Sequence, residues 1–468
     1  MSIASASDLP VYDVARIHER SLDLLENVGI VYQTPCALSQ LESAGCRVDY
    51  DRNWVSLPRD LVERALTKAP RVVRLCARDP SRDVVLDGRR PHHTTDSQGV
   101  MAIDLLTGER RESTAEDLRN GLLFADALDK VEIVNVLVAA NDVPPHLRTI
   151  EHFALAFAQT SKHVRTGVLH AKQVPFIVEM AKAVTQNGDG HGTDQFRPVF
   201  SVVDCTISPL MHDGPMTEAC IELAKLNVPI LVYPMPLAGG TSPVTLGGTL
   251  LLHNVEFLSS LVLFQVVNPG TPVIYGTGAS QIDMHTGHYA ASANLPGLHL
   301  ALARMARFYN LPVNLGGVST ASKDLDAQYG HEATKAALLA YLAGADEIYS
   351  VGLLDSAQVL SLEKMVLDNH LIHQIEATFA PVLVDEEHLQ ADLIERVGVG
   401  GNYLTQRATR EFTRREYVSP WPAAGQTMLQ TAREEALDIL GSHRPPELPS
   451  VAASKLEDIV AEAARELA

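Results

Sequence analysis

The sequence predicts an α/β protein: a (β/α)8 barrel of the TIM type, with an N-terminal α+β cap and a C-terminal helical extension. Three observations carry this. From about residue 108 to 380, short Val/Ile-rich runs alternate with helical stretches. The runs recur at intervals of roughly 30 to 43 residues, about the length of one βαβ unit. They are apolar throughout rather than alternating, as parallel strands buried on both faces are.

Taken in order, residues 1–107 form the cap. "DVARIHERSLDLLENVGIVY" reads as an amphipathic helix, and "VVRLCARD" and "DVVLDG" as short β runs. Residues 108–380 form the barrel. "TAEDLRNGLLFADALD" opens on Thr114 with an acidic first turn, a helix N-terminal signature. The strand series runs through "VEIVNVLVAA", "KHVRTGV", "PVFSVVDC", "VPILVYPMP", "PVIYGTG", "PVNLGG" and "DEIYSVG". That makes seven, and the eighth is sought in "HTTDSQGVMAIDLL", from His93 to Leu106. An open doubly wound sheet is the alternative, and the missing G-x-G-x-x-G lowers it. Residues 381–468 form the extension, with the Arg/Glu-rich "QRATREFTRREYVSPW", a Pro-rich linker and a last amphipathic helix.

Composition narrows the function. The 468 residues carry a formal charge of -19 with no Lys/Arg-rich block, which argues against a nucleic-acid groove or an anionic membrane surface. Five scattered cysteines with no C-x-x-C read as reduced thiols. The N-terminus has no basic region followed by an apolar run. The apolar stretch "FLSSLVLFQVV" is short enough to be a buried helix. A cytoplasmic protein acting on a small molecule, without nucleic-acid or membrane partners, is expected.

In a barrel of this kind the site lies where the strands end. The segments after the runs are rich in Gly, Ser, Thr, Met and Tyr and nearly free of Lys and Arg. "DMHTGH" has no companion ligand at a metal spacing, so no metal is assigned. "GGTSPVTLGG" lacks the G-K-[ST] ending of a phosphate loop, and no G-x-S-x-G elbow is present. What remains is a neutral-to-acidic cavity with tyrosines: Tyr233, Tyr275 and Tyr349 at strand ends, Tyr289 and Tyr329 on loops. Aromatic faces hold quaternary ammonium groups, which suits a cationic small molecule. The competing reading of each tyrosine is plain core packing. Gly316 and Gly317 give close backbone approach at the strand-to-helix turn of "NLGGVSTASKDLDAQYGHEATKAALLAYLAGADEIYS".

The stretch from Pro234 to Gly287, that from Pro312 to Ile372, and "VDEEHLQADLIERVGVGGNYLTQRATREFTRREYVSPW" together resemble the trimethylamine methyltransferase family. The resemblance reaches back to "HERSLDLLENVGI" and covers nearly the whole chain. It implies a barrel fold and methyl transfer, of the methanogenesis type, from a methylated amine to the cobalt of a separate corrinoid protein. Cobalamin is then supplied by the partner, and no cofactor is held tightly. The founding enzymes carry pyrrolysine; this chain has none and is similar to the non-pyrrolysine branch, with glycine betaine and related quaternary amines as model substrates. A homo-oligomer is expected.

With that resemblance, Asp326, Gln328 and His331 are the catalytic candidates, and Tyr275, Asp283, His285, Tyr233, Tyr289, Gly316 and Gly317 the substrate-binding ones. Asp324 or Asp326 alternatively caps the helix, whose N-terminus would otherwise favour a betaine carboxylate. His331 stands where the resembled sequences commonly have Tyr. Two alternatives remain: a lyase or aldolase, which needs a Schiff-base lysine or a metal, and a non-catalytic betaine-binding homologue.

Overall fold

The computed structural model describes residues 11–185, 196–287, 289–290, 295–416, 421 and 425–467. Eight parallel strands form the central sheet: β1 (His92–Thr95), β2 (Val131–Asn135), β3 (His163–Thr166), β4 (Phe200–Asp204), β5 (Ile230–Val232), β6 (Val273–Tyr275), β7 (Asn314–Gly316) and β8 (Glu347–Val351). Each pairs with its neighbour in chain order, and β8 pairs with β1. A bridge between Tyr275 and Val313, with the Tyr275 amide donating to the Pro312 carbonyl at 2.8 Å, closes β6 onto β7. The barrel is complete. Its first strand begins at His92, upstream of the boundary expected near residue 107.

A helix follows every strand: α1 (Ala115–Ala127), α2 (Pro145–Gln159), α3 (Val174–Thr185), α4 (Gly214–Lys225), α5 (Leu246–Val267), α6 (Leu295–Tyr309), α7 (Ala327–Leu342) and α8 (Leu362–Phe379). Side-chain oxygens satisfy the free amides at several starts. Thr114 and Asp117 form a capping box, and Asp213, Thr245, Asp326 and Ser361 cap α4, α5, α7 and α8. Helix α5 is long and apolar enough to span a membrane by length and composition, yet 78% of that stretch is buried inside the protein. It is buried on all sides because the barrel covers one side and the N-terminal helices Val11–Asn27 and Arg59–Lys68 cover the other.

The N-terminal elements are tied into the barrel. Strands Ile30–Tyr32, Arg47–Asp49 and Trp54–Ser56 share one sheet with Thr206–Ile207 and Met211–His212, which come from the loop after β4. Glu256 on α5 shapes that loop, accepting hydrogen bonds from the Thr206 and Ser208 hydroxyls and the Leu210 amide. His212 stacks on Tyr32 at 4.3 Å. A hairpin, Val73–Leu75 and Val84–Leu86, plugs the strand N-termini and packs on Ile133, Leu231 and Ile274. The extension wraps outside: helix Met428–Ser442 packs on α8, and Ser450–Glu466 on α2 and α3.

Inside the barrel, Arg165 of β3 reaches Glu347 of β8 through two parallel bonds of 2.7 Å, with both side chains fully buried. Ser201 accepts from the remaining Arg165 Nε–H at 2.8 Å, and Asn314 donates to Glu347 at 2.8 Å. Removing one partner of such a pair strands a buried charge, which costs about 3–5 kcal/mol, whereas replacing both by apolar groups is often neutral. We expect Arg165→Met to lower the unfolding free energy by about that amount, and Arg165→Met/Glu347→Leu to recover most of it, read from denaturant midpoints.

Asp204, at the end of β4, is buried against α5 and accepts from the Ser260 hydroxyl at 2.7 Å. Burial pushes its carboxyl up to about 6, the hydroxyl only partly offsetting this. A raised carboxyl favours the folded state below its unfolded pKa, and that contribution is lost as pH rises through about 6. Asp204→Asn keeps the acceptor and removes the titration. Its stability relative to wild type should therefore rise by about 2–3 kcal/mol between pH 4 and pH 7, and stay flat below pH 4. Thermal unfolding across pH checks this.

Candidate functional site

Strand alternation fixes which side chains enter the barrel. Ile133, Leu231 and Ile274 meet the hairpin plug, so they point inward. Two residues further along, Asn135, Tyr233 and Gly276 face the same way, nearer the mouth. Glu347 crosses the lumen to Arg165, so Tyr349 is the next inward residue on β8, level with Gly316 of β7. The lower lumen is closed by the plug and the neutralised Arg165–Glu347 pair. The upper lumen opens where the strands end.

Tyr233 and Tyr349 are the aromatic pair of that opening. Their rings meet edge to face at 5.7 Å with an interplanar angle of 71°, and both are half-buried. The Tyr349 hydroxyl donates to the Thr277 carbonyl at 2.9 Å, which fixes its ring. Glycines make the room. A Cβ at Gly278 would lie 2.7 Å from Tyr233 Cε1, one at Gly276 2.9 Å from its Cδ2, and one at Gly316 3.2 Å from the Tyr349 hydroxyl. The Gly-rich strand ends are thus a packing requirement of two tyrosines.

The other expected residues fall elsewhere. Tyr275 faces out of the barrel, fully buried, with its hydroxyl donating to Asn254 at 3.1 Å and its ring 4.1 Å from Phe257. It belongs to the core behind the wall. Asp326 is the cap of α7, accepting from the Tyr329 amide at 3.0 Å and the Ser322 hydroxyl at 2.9 Å. Gln328 is exposed and donates to Glu332 at 3.0 Å. Tyr329, Ala333, Ala337 and Ala340 are the buried face of α7; His331, two residues past Tyr329, is exposed on the opposite face. Asp283 accepts from the His285 amide at 2.7 Å and forms the turn of a loop hairpin, with His285 exposed at its tip. Gly317 packs its backbone on Ile348. The Tyr289 side chain and His288 lie outside the described residues.

Sequence reasoning missed the polar side of the lumen. Asn135 directs its amide nitrogen to Thr94 Oγ1 at 3.0 Å and to the Thr95 carbonyl at 2.6 Å. Its Oδ1, and that of Asn314, are buried with no partner among the described residues. Both asparagines sit inside runs otherwise read as apolar strands; an amide in such a run was the available signal. Buried polar bonds also hold the mouth loops from outside. Lys364 of α8 donates to the Val318 and Ser350 carbonyls and to Asp368, which in turn accepts from Tyr329 and the Gly352 amide.

Residues 3–468 match the family model described as trimethylamine methyltransferase (MTTB). The trimethylamine methyltransferase MttB of Desulfitobacterium hafniense (strain DSM 10664 / DCB-2) is 34% identical over 471 residues, 98% of this chain and 94% of that protein. MttB of Methanosarcina thermophila is 31% identical over 450 residues, 92% of each chain. A glycine betaine methyltransferase of Desulfitobacterium hafniense (strain Y51) is 29% identical over 467 residues, 97% of this chain and 96% of that one. Among solved structures, the hydroxylamine complex of MtmB superposes with a TM-score of 0.54 at 11% identity, covering 100% of this chain and 89% of that one; it shares the barrel fold. With that fold and a match over nearly its full length, the chain belongs to the trimethylamine methyltransferase family.

Proposed function

We propose that this protein transfers a methyl group from a methylated ammonium compound, of which glycine betaine is one model, to the Co(I) of a separate corrinoid protein in the cytoplasm. The observation that carries it is the half-buried Tyr233–Tyr349 pair at the mouth of a closed barrel in a chain of formal charge -19. A cation entering the mouth meets aromatic faces, each contact contributing roughly 0.5–2 kcal/mol. The acidic protein as a whole favours its approach.

The chemistry asks little acid–base work of this chain. In an in-line displacement the carbon–nitrogen bond breaks as the nucleophile bonds the methyl carbon, and the electron pair leaves with a neutral amine. A quaternary nitrogen therefore needs no proton. The corrinoid supplies the electron-rich cobalt. The tyrosines strip water from the ammonium group and hold it by its other substituents, leaving one methyl aimed outward. A Schiff-base mechanism would need a lumen lysine, and the cation on the barrel strands is Arg165, already spent on Glu347.

The mouth also suits a protein partner. Leu106, Leu169, Ile207, Met235, Val244 and Met284 sit on the loops after β1, β3, β4, β5 and β6, and all are exposed, Leu106 and Met284 at 71%. An apolar rim around an open site is what a docked corrinoid domain would cover. A second exposed set, Phe379, Val382, Leu383, Val384, Val399 and Leu404, lies where the chain leaves α8, and it supports a homo-oligomer, which light scattering would test.

Three outcomes are expected. Mixed with a Co(I) corrinoid protein and a panel of methylated amines, the protein should convert the corrinoid to its methylated form with at least one amine, followed by absorbance. No conversion with any amine or corrinoid partner would remove the proposal. Tyr233→Ala or Tyr349→Ala should each weaken amine binding roughly 3- to 30-fold, while Tyr349→Phe keeps the ring and stays near wild type. Val244→Glu with Met284→Glu should slow transfer to the corrinoid protein about tenfold or more and leave transfer to free cob(I)alamin unchanged.

A further inference from the structure

We infer that the protein carries a second ligand site, on the outer face of β7, for a small amphiphilic anion: a monocarboxylate with a short apolar body. The site stands apart from the tyrosine pair of the mouth, and the inference does not depend on the methyl-transfer reading.

The site is a crevice of about 550 Å³, open to solvent, between the first turns of α6 and the length of α7. Helical spacing builds its walls. Leu295 and His299, four apart, share one face of α6; on α7, Lys335, Leu339 and Ala343 recur four apart, with Ala336 and Ala340 beside them. Leu315 and Gly316 of β7 form the floor. Ala336, Ala340 and Ala343 are short where a larger side chain would close the gap. Leu295, Leu300 and Leu339 are only partly covered as a result. A ligand body that takes this apolar surface out of water is favoured by the burial.

The charge in the crevice is Lys335. Of the lysines, Lys130, Lys162, Lys335 and Lys364 are the ones withdrawn from full exposure. Lys130 pairs with Glu376, Lys364 pairs with Asp368, and Lys162 donates to the Ala125 and Leu128 carbonyls. Lys335 has neither an ion pair nor a hydrogen bond among the described residues. Glu332, one turn before it, is engaged elsewhere. It accepts from the Thr320 hydroxyl at 2.7 Å, the Ala321 amide at 2.8 Å and the Gln328 amide at 3.0 Å. His299 adds no charge. Burial lowers its pKa, and its Nε2 donates to the Ala279 carbonyl at 3.3 Å, since a carbonyl can only accept.

The crevice thus offers one uncompensated ammonium beside apolar walls. A carboxylate completes the ammonium with a charge-assisted bond, and the rest of the ligand covers the leucines. One cation calls for one negative charge. A dianion would bring a second, unmatched charge close to the Glu332 carboxylate.

Strand alternation keeps this site separate from the lumen. Asn314 bonds Glu347 inside the barrel, so Leu315 points outward to the helices. Gly316 borders both sites: a Cβ there would lie 3.2 Å from the Tyr349 hydroxyl and 3.5 Å from His299 Cε1. The two are neighbours with opposite preferences, aromatic faces for a cation and Lys335 for an anion.

The test is a calorimetric titration of the full chain with butanoate, hexanoate and 1-hexanol at constant ionic strength. Hexanoate should bind roughly tenfold tighter than butanoate, through two more buried methylenes, and about tenfold tighter than hexanol. Lys335→Met keeps the apolar stem and should bring hexanoate down to the level of hexanol. Ala336→Leu fills the crevice from a half-buried position and should weaken hexanoate and hexanol alike; unchanged binding would place the ligand elsewhere. No hexanoate binding at millimolar concentration, or equal binding by wild type and Lys335→Met, would overturn the inference. Excess tetramethylammonium should leave hexanoate binding unchanged. Competition between the two would merge the crevice with the amine's site and overturn the assignment of a second one.

Discussion

The ion pair between Arg165 and Glu347 is the constraint on which the rest of the barrel depends. It spans the lumen from β3 to β8 and sits above the apolar plug formed by Val73, Leu75, Val84 and Leu86. Two ionic groups with no exposure persist there because each guanidinium nitrogen and each carboxylate oxygen has a partner: the guanidinium bonds Glu347 and Ser201, the carboxylate Arg165 and Asn314. The lumen is thereby divided into a closed floor and an open upper chamber, and its strongest charges are cancelled before any ligand arrives.

The upper chamber is shaped by size rather than by charge. Tyr233 and Tyr349 occupy space that Gly276, Gly278 and Gly316 leave empty, and the Thr277 carbonyl pins the Tyr349 hydroxyl. Rigid rings that need no rearrangement to meet a cation lower the entropic cost of binding. The loops around them are held from behind by Lys364 and Asp368 on α8 and by Glu256 on α5, whose polar groups are buried between wall and helix. A barrel mouth rich in Gly, Ser and Thr can be this ordered because its scaffolding lies on the outer helices.

The N-terminal segment takes part in the same arrangement. Its sheet is completed by two strands from the loop after β4, and the Tyr32–His212 stack with the His212–Ser259 bond carries that contact to α5. The cap is thus an extension of the barrel's own loop structure, and its hairpin is the barrel's floor. Both ends of the lumen depend on residues that precede β1.

The sequence by itself determined the barrel. Seven apolar runs at βαβ spacing each became a strand, because a strand buried on both faces leaves a local signature that spacing makes readable; the eighth, from His92 to Thr95, begins one residue before the segment proposed for it and overlaps only its start. For the cap of α7 it offered two residues, since Asp324 and Asp326 both precede the helical run, and the structure uses Asp326. Only the tertiary structure decided which tyrosines face the lumen. Tyr233 and Tyr275 both stand at strand ends, yet alternation sends one inward and the other into the packing against α5. His331 and Gln328 sit in a suggestive stretch, but the helical phase set by Tyr329 and Ala333 turns them to solvent. Arg165, Glu347, Asn135 and Asn314 could not be joined from sequence, since their partners lie up to 182 residues away and meet only when the sheet closes.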